Sequence, residues 1–164
     1  MFGLRDVLAW IELSALGVFM RQTGPWTYGI FNLVHILGVS TLFGSILLLD
    51  LHLIGLWRRA PLAGLSRAAV PVGKAGFVIA AVSGISMLSA NATEYTDNPF
   101  FMIKFPAIGV GLLNVWLIGR TAGWRARAQR DPSAGEGRLL ALLGGMSLAS
   151  WLTAISAGRM IGYW

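Results

Sequence analysis

A few side chains in this sequence place ionisable chemistry inside apolar surroundings: His35, Asp50, His52, Lys74, Lys104 and Arg159. An ionisable group within a hydrocarbon-spanning segment costs free energy, and by default it marks a functional site. His35 lies seven residues in from Tyr28, Lys104 five in from Pro99, and Arg159 five back from Trp164. At a helical rise of about 1.5 Å per residue, all three sit roughly 8–11 Å below one interface. Such a level can form a polar pocket, with His35 as a metal or haem-iron ligand and Lys104 and Arg159 neutralising propionates or another anionic group. The plainer reading of the same residues is that both cations snorkel to the surface and His35 hydrogen-bonds a neighbouring carbonyl.

Asp50, His52 and Lys74 define a second level toward the opposite end. There the expectation is structural: an Asp50–Lys74 ion pair closing the bundle, with His52 near the headgroups and only a minor candidate as a metal ligand. His35 and His52 are seventeen residues apart on one helix, roughly 25 Å, so they cannot ligate two faces of one haem. A bis-histidine haem would need a second copy of the chain. Methionine supplies a competing ligand set, because Met20, Met87, Met102 and Met160 fall at depths near His35. Thioethers beside an imidazole suit Cu(I), although Met also fills gaps in ordinary cores.

The elements that position these residues follow from composition. The 164 residues are 55% hydrophobic and 12% charged, with mean hydropathy +0.67, the balance of an integral membrane protein rather than a soluble domain. The chain has no Cys, which excludes disulfides, thiolate metal sites and a cysteine nucleophile. A net charge of +6 would suit nucleic acid, but the basic residues gather in two loops beside apolar segments, which reads as membrane topology without a nucleic-acid partner. No phosphate-binding glycine loop, paired carboxylates within one span or nucleophile–base pair is present.

The fold class expected is all-α: an integral membrane helical bundle forming one domain over residues 1–164. Four spans are predicted, at about 28–57, 69–90, 99–119 and 139–162. An N-terminal helix over 4–20 is either interfacial or a fifth span, because its uninterrupted apolar run covers only Leu13 to Met20. In the first span, His35, Gly38, Leu42, Ser45, Leu49 and His52 recur at three- and four-residue steps, the seam a helix turns toward its neighbours. Small-residue stripes at Gly76, Ala80 and Gly84, and at Gly145, Ala149, Thr153 and Ala157, permit close helix approach. Asn32 and Asn114 are expected to make interhelical hydrogen bonds. The Arg120–Arg138 segment reads as a polar loop with little stable structure. Regions 58–74 and 120–138 hold nine of the thirteen Lys and Arg residues, and 91–98 holds none. The positive-inside rule therefore puts both basic regions in the cytoplasm and the C-terminus outside, in a bacterial inner (cytoplasmic) membrane.

The pattern Trp26-x-Tyr28, His35-Ile-x-Gly38, Gly44-Ser45 and Asp50-Leu-His52-Leu-x-Gly55-Leu resembles an uncharacterised family of small bacterial multi-span membrane proteins. Asn98-Pro99 with Lys104 and the later Asn114 extend that likeness over most of the chain. At the position of His52 the family would lead one to expect Arg. In helix order and spacing the chain is more distantly similar to the haem-b-containing, oxygen-independent protoporphyrinogen oxidases, which implies His35 as haem ligand and Lys104 as propionate or substrate partner. Copper-resistance membrane proteins have a similar bundle. The function expected is that of a b-type-haem or porphyrin-binding protein with a redox or electron-transfer role. The alternatives are a non-catalytic subunit of a larger membrane complex and a copper-binding or copper-transport protein. The partners expected are the lipid bilayer and either a second copy of the chain or a larger complex.

Overall fold

In the computed structural model, which describes residues 3–57 and 60–164, the chain is helical from end to end. Two short helices, α1 (Leu4–Glu12) and α2 (Ala15–Gln22), precede the long α3 (Gly24–Ile54) and α4 (Leu62–Ala90). A 3-10 turn at Ala92–Tyr95 leads into α5 (Pro99–Arg120), a short α6 (Ala122–Ala126) and α7 (Ala134–Met160). α3, α4, α5 and α7 are long and apolar enough to cross a membrane, so this is a multi-pass membrane protein whose apolar outer surface meets lipid. The helices alternate in direction. The two N-terminal helices, the start of α3, the 91–98 turn and the C-terminus gather at one end, hereafter the 91–98 face. The end of α3, the start of α4 and the 121–133 connection lie at the other, the basic face.

The single N-terminal helix expected over 4–20 is two helices, because Ser14 caps a new one by accepting from the Gly17 N–H. At nine and eight residues, each is about 12–14 Å long, too short to span. They pack across the 91–98 face. Leu8 is buried with Ala92 and Phe101, Arg21 donates to the Ala90 carbonyl at 2.9 Å, and Glu12 Oε2 accepts from the Thr93 N–H and hydroxyl at 2.8 and 2.7 Å. Arg21 thus satisfies an orphan carbonyl at the end of α4.

α3 and α4 make the closest contact in the bundle. A Cβ on Gly76 would stand 2.5 Å from the Leu42 nitrogen, and one on Gly38 would stand 2.7 Å from the Ala80 nitrogen. Gly73 meets Ser45, and Gly84 meets the His35 ring. The expected seam of α3 and the Gly76-Ala80-Gly84 stripe of α4 are therefore the two halves of one interface. α7 uses a different face from the one expected. Its buried residues are Leu140, Leu143, Gly144, Ser147, Ser150, Trp151, Ala154 and Ala157, so the packed stripe starts one residue earlier and Ala149 and Thr153 are exposed. Gly144 admits Leu53 and the Asp50 backbone from α3, and Gly111 of α5 admits the Trp151 ring.

The Arg120–Arg138 segment is ordered, contrary to expectation. Thr121 caps α6, Arg127 donates to Ser66 Oγ at 2.9 Å and lies over the Trp124 ring, and Ser133 with Glu136 forms a capping box at the start of α7. Arg130 pairs with Glu136 through two 2.7 Å hydrogen bonds.

Two predictions follow from this packing. Gly76→Val should destabilise the bundle by about 1–3 kcal/mol, because the colliding atoms are backbone and cannot rotate away. Gly145→Ala, whose Cβ meets nothing within 4 Å, should be near neutral, and thermal unfolding in detergent separates the two. The Thr93 N–H bond, with the Thr93 hydroxyl next, holds the Glu12 carboxyl below the usual carboxylate range. Its contribution is complete above the unfolded pKa of about 4.3 and is lost as pH falls through the folded value. Protection of the Thr93 amide from hydrogen exchange, taken against the intrinsic rate at each pH, should therefore fall on acidification in wild type, and in Glu12→Gln it should already be reduced at neutral pH.

Candidate functional site

His35 lies on the α4-facing side of α3, and the absence of a side chain at Gly84 makes room for its ring. Its Nδ1 stands 2.9 Å from the Ala80 carbonyl and 3.1 Å from Ser83 Oγ. A carbonyl only accepts, so Nδ1 carries the proton. The Ser83 hydroxyl donates its own hydrogen to the Ile79 carbonyl at 2.6 Å, leaving its oxygen free to accept from Nδ1. The ring is thereby held in one tautomer, with Nε2 unprotonated and no hydrogen bond to it among the described residues. This is how ligating histidines are commonly oriented, with the far nitrogen bonded to a carbonyl. It also realises the plainer expectation that His35 bonds a neighbouring carbonyl; the two readings share one geometry.

Beside the imidazole, Ile30, Phe31, Val34, Val78, Val82 and Ser83 line a shallow apolar groove between α3 and α4. Ser83 is common to the groove and to the histidine. Lys104 approaches from the other helix pair. Its Nζ and Cε lie 3.6 and 3.5 Å from where a Gly158 Cβ would be, so the chain packs across α7 in the space a glycine leaves. No carboxylate pairs with Lys104 among the described residues. Arg159 is placed differently. It is exposed, donates to the Tyr163 hydroxyl and lies over that ring at 4.8 Å. His35 thus packs on α4 and Lys104 on α7, both toward the 91–98 face, and Arg159 is exposed near the end of α7.

The second level is arranged otherwise than expected. Asp50 and Lys74 form no ion pair. Asp50 is 2% exposed and turns toward Ser147 on α7, whereas Lys74 is exposed on α4. The reason is angular, since Asp50 is one step around the helix from the Leu49 and His52 positions of the α4-facing seam. His52 is half-buried, and its Nδ1 has no partner among the described residues. Asn114 makes the expected interhelical bond, Nδ2 to the Leu143 carbonyl at 2.8 Å; Asn32 is exposed and makes none. Met102 and Met160 are exposed at 46% and 42%, and Met20 is buried on α2. Among the described residues no three His, Asp or Glu side chains are grouped to hold a metal ion; a haem needs only an axial ligand. Ser83, Ser86 and Ser89 were not singled out in the sequence, although serines every three residues in an apolar helix are a visible signal.

No curated protein and no solved structure matches this chain. The helix-order likeness to haem-b oxidases and to copper-resistance proteins thus gains no support from these comparisons. The chain belongs to the family of unknown function DUF6644, whose family model matches residues 7–164.

Proposed function

We propose that this chain is a b-type-haem or porphyrin-binding protein of the bacterial inner membrane with a redox role, its 91–98 face outside. One observation carries the reading: the His35 Nδ1–H is bonded to the Ala80 carbonyl, which leaves Nε2 as the nitrogen able to ligate, and Ser83 beside Nδ1 also lines an apolar groove. A flat macrocycle needs such a donor, an apolar wall and a cation for its carboxylates, and His35, the groove and Lys104 are of those types. Bound haem would supply one-electron chemistry. His35 would supply a nitrogen ligand to the iron, its ring held by the Ala80 carbonyl and Ser83, and Lys104 would neutralise a propionate. With His52 about 25 Å along the same helix, a single chain offers the iron one histidine. The test is an absorbance spectrum of the detergent-purified protein, oxidised and dithionite-reduced, with pyridine extraction. A Soret band lost in His35→Ala, retained in His52→Ala and shifted in Ser83→Ala is the expected outcome; protein made with ample haem that shows no band overturns the reading.

A second reading, as a subunit of an oligomer or larger membrane complex, draws on α7. Gly145, Ala149 and Thr153 form a small-residue stripe left outside the bundle, where a Cβ on Gly145 would meet open space. Such a stripe suits the close approach of another helix. Because the chain has no native Cys, oxidative cross-linking of Ala149→Cys in membranes reports on this face alone. A cross-linked dimer would establish self-association through α7, and a monomer under conditions that cross-link a control would exclude it.

A further inference from the structure

Beneath the apolar layer of Leu53, Leu62, Ile118, Leu140 and Leu143 at the basic end of the bundle, the next turn inward is polar. Asp50 of α3, Asn114 of α5 and Ser147 of α7 are 2%, 1% and 2% exposed. They converge on one stretch of α7. Asn114 Nδ2 donates to the Leu143 carbonyl, Asp50 stands beside Ser147, and the Asp50 backbone touches the position of a Gly144 Cβ. Two oxygens there have no partner among the described residues: Asp50 Oδ2 and Asn114 Oδ1. The Asn114 orientation is fixed, because only its nitrogen can donate to a carbonyl. Its oxygen must therefore be the bare atom.

Two such acceptors, one of them a carboxylate oxygen, buried within the bundle of a membrane protein call for a positive charge. No Lys, Arg or His among the described residues pairs with Asp50. We propose that Asp50, Asn114 and Ser147 form a binding site for a small monovalent cation, sodium by its chemistry. A carboxylate, an amide carbonyl and a hydroxyl are hard oxygen donors, which suit alkali and alkaline-earth ions and not soft metals. The charge count selects the monovalent class, because one carboxylate neutralises one positive charge and a divalent ion would leave an excess charge among leucines. The closeness of α3 and α7, where a Gly144 Cβ would lie 3.0 Å from Leu53 Cβ, favours a small ion. The inference is independent of haem, whose residues lie toward the other face.

The test is thermal unfolding of the full chain in detergent, in sodium, potassium and choline chloride at equal ionic strength. Sodium should raise the midpoint by at least 2–4 °C or so over choline, saturably, as expected for a ligand that binds only the folded state. Asp50→Asn should abolish that increment, and Ser147→Ala should raise the half-saturating sodium concentration about tenfold, roughly the loss of one hydrogen-bond-strength contact. Equal midpoints in the three salts would overturn the proposal, as would a sodium increment unchanged in both variants. A carboxylic-acid C=O infrared band that persists in saturating sodium and disappears in Asp50→Asn would also overturn it, assigning the charge to a proton instead. If Asp50→Asn fails to fold, the Ser147→Ala titration decides alone.

Discussion

The structure depends on the approach of α3 and α4 at backbone distance. Gly38 and Gly76 face each other across the interface, each leaving space that a single methyl group would overfill. In lipid there is no hydrophobic penalty to drive two apolar helices together, so the contact must come from dense van der Waals packing and polar bonds. Small residues provide the first. His35, reaching across to the Ala80 carbonyl, provides the second. The same closeness that stabilises the pair orients the imidazole, so the candidate site is a product of the packing rather than an addition to it.

Around that pair the bundle is built from two kinds of layer. At the basic end, Leu53, Ile118, Leu140 and Leu143 fill the core with branched aliphatics. Further in, serines and asparagines take over: Ser83, Ser86, Ser89, Asn114, Ser147 and Ser150 are all buried. Most of the serines return their hydroxyls to their own helix, as Ser86 does to Val82 and Ser150 to Ser147. They are small polar residues used for their size. Asp50 and Asn114 differ, because their side chains cannot be satisfied within their own helix.

Much of this was legible in the sequence, for identifiable reasons. Span number follows from hydropathy and length, and the α3–α4 interface from the coincidence of a heptad seam with a glycine stripe. What was misread concerns rotation about helix axes. Asp50 was paired with Lys74 on charge and depth, yet it belongs to the neighbouring face, toward α7. The α7 stripe was displaced by one residue for the same reason, since small residues occur on both its faces and only the partner decides which is buried. The order in the 120–133 connection could have been read from the Ser133-x-x-Glu136 box and from Arg130 within reach of it. The tautomer of His35 could not, because it depends on which carbonyl of α4 lies opposite.

The docking of α1 and α2 on the far end of α4 imposes a sequence of events on biogenesis. Arg21 and Glu12 find their partners 69 and 81 residues later in the chain. These helices are synthesised before the α3–α4 hairpin that carries their partners, and have nothing of it to bind until it has crossed the membrane and turned. Their placement therefore waits on that of a later segment, and they seat only on a hairpin that has been inserted correctly.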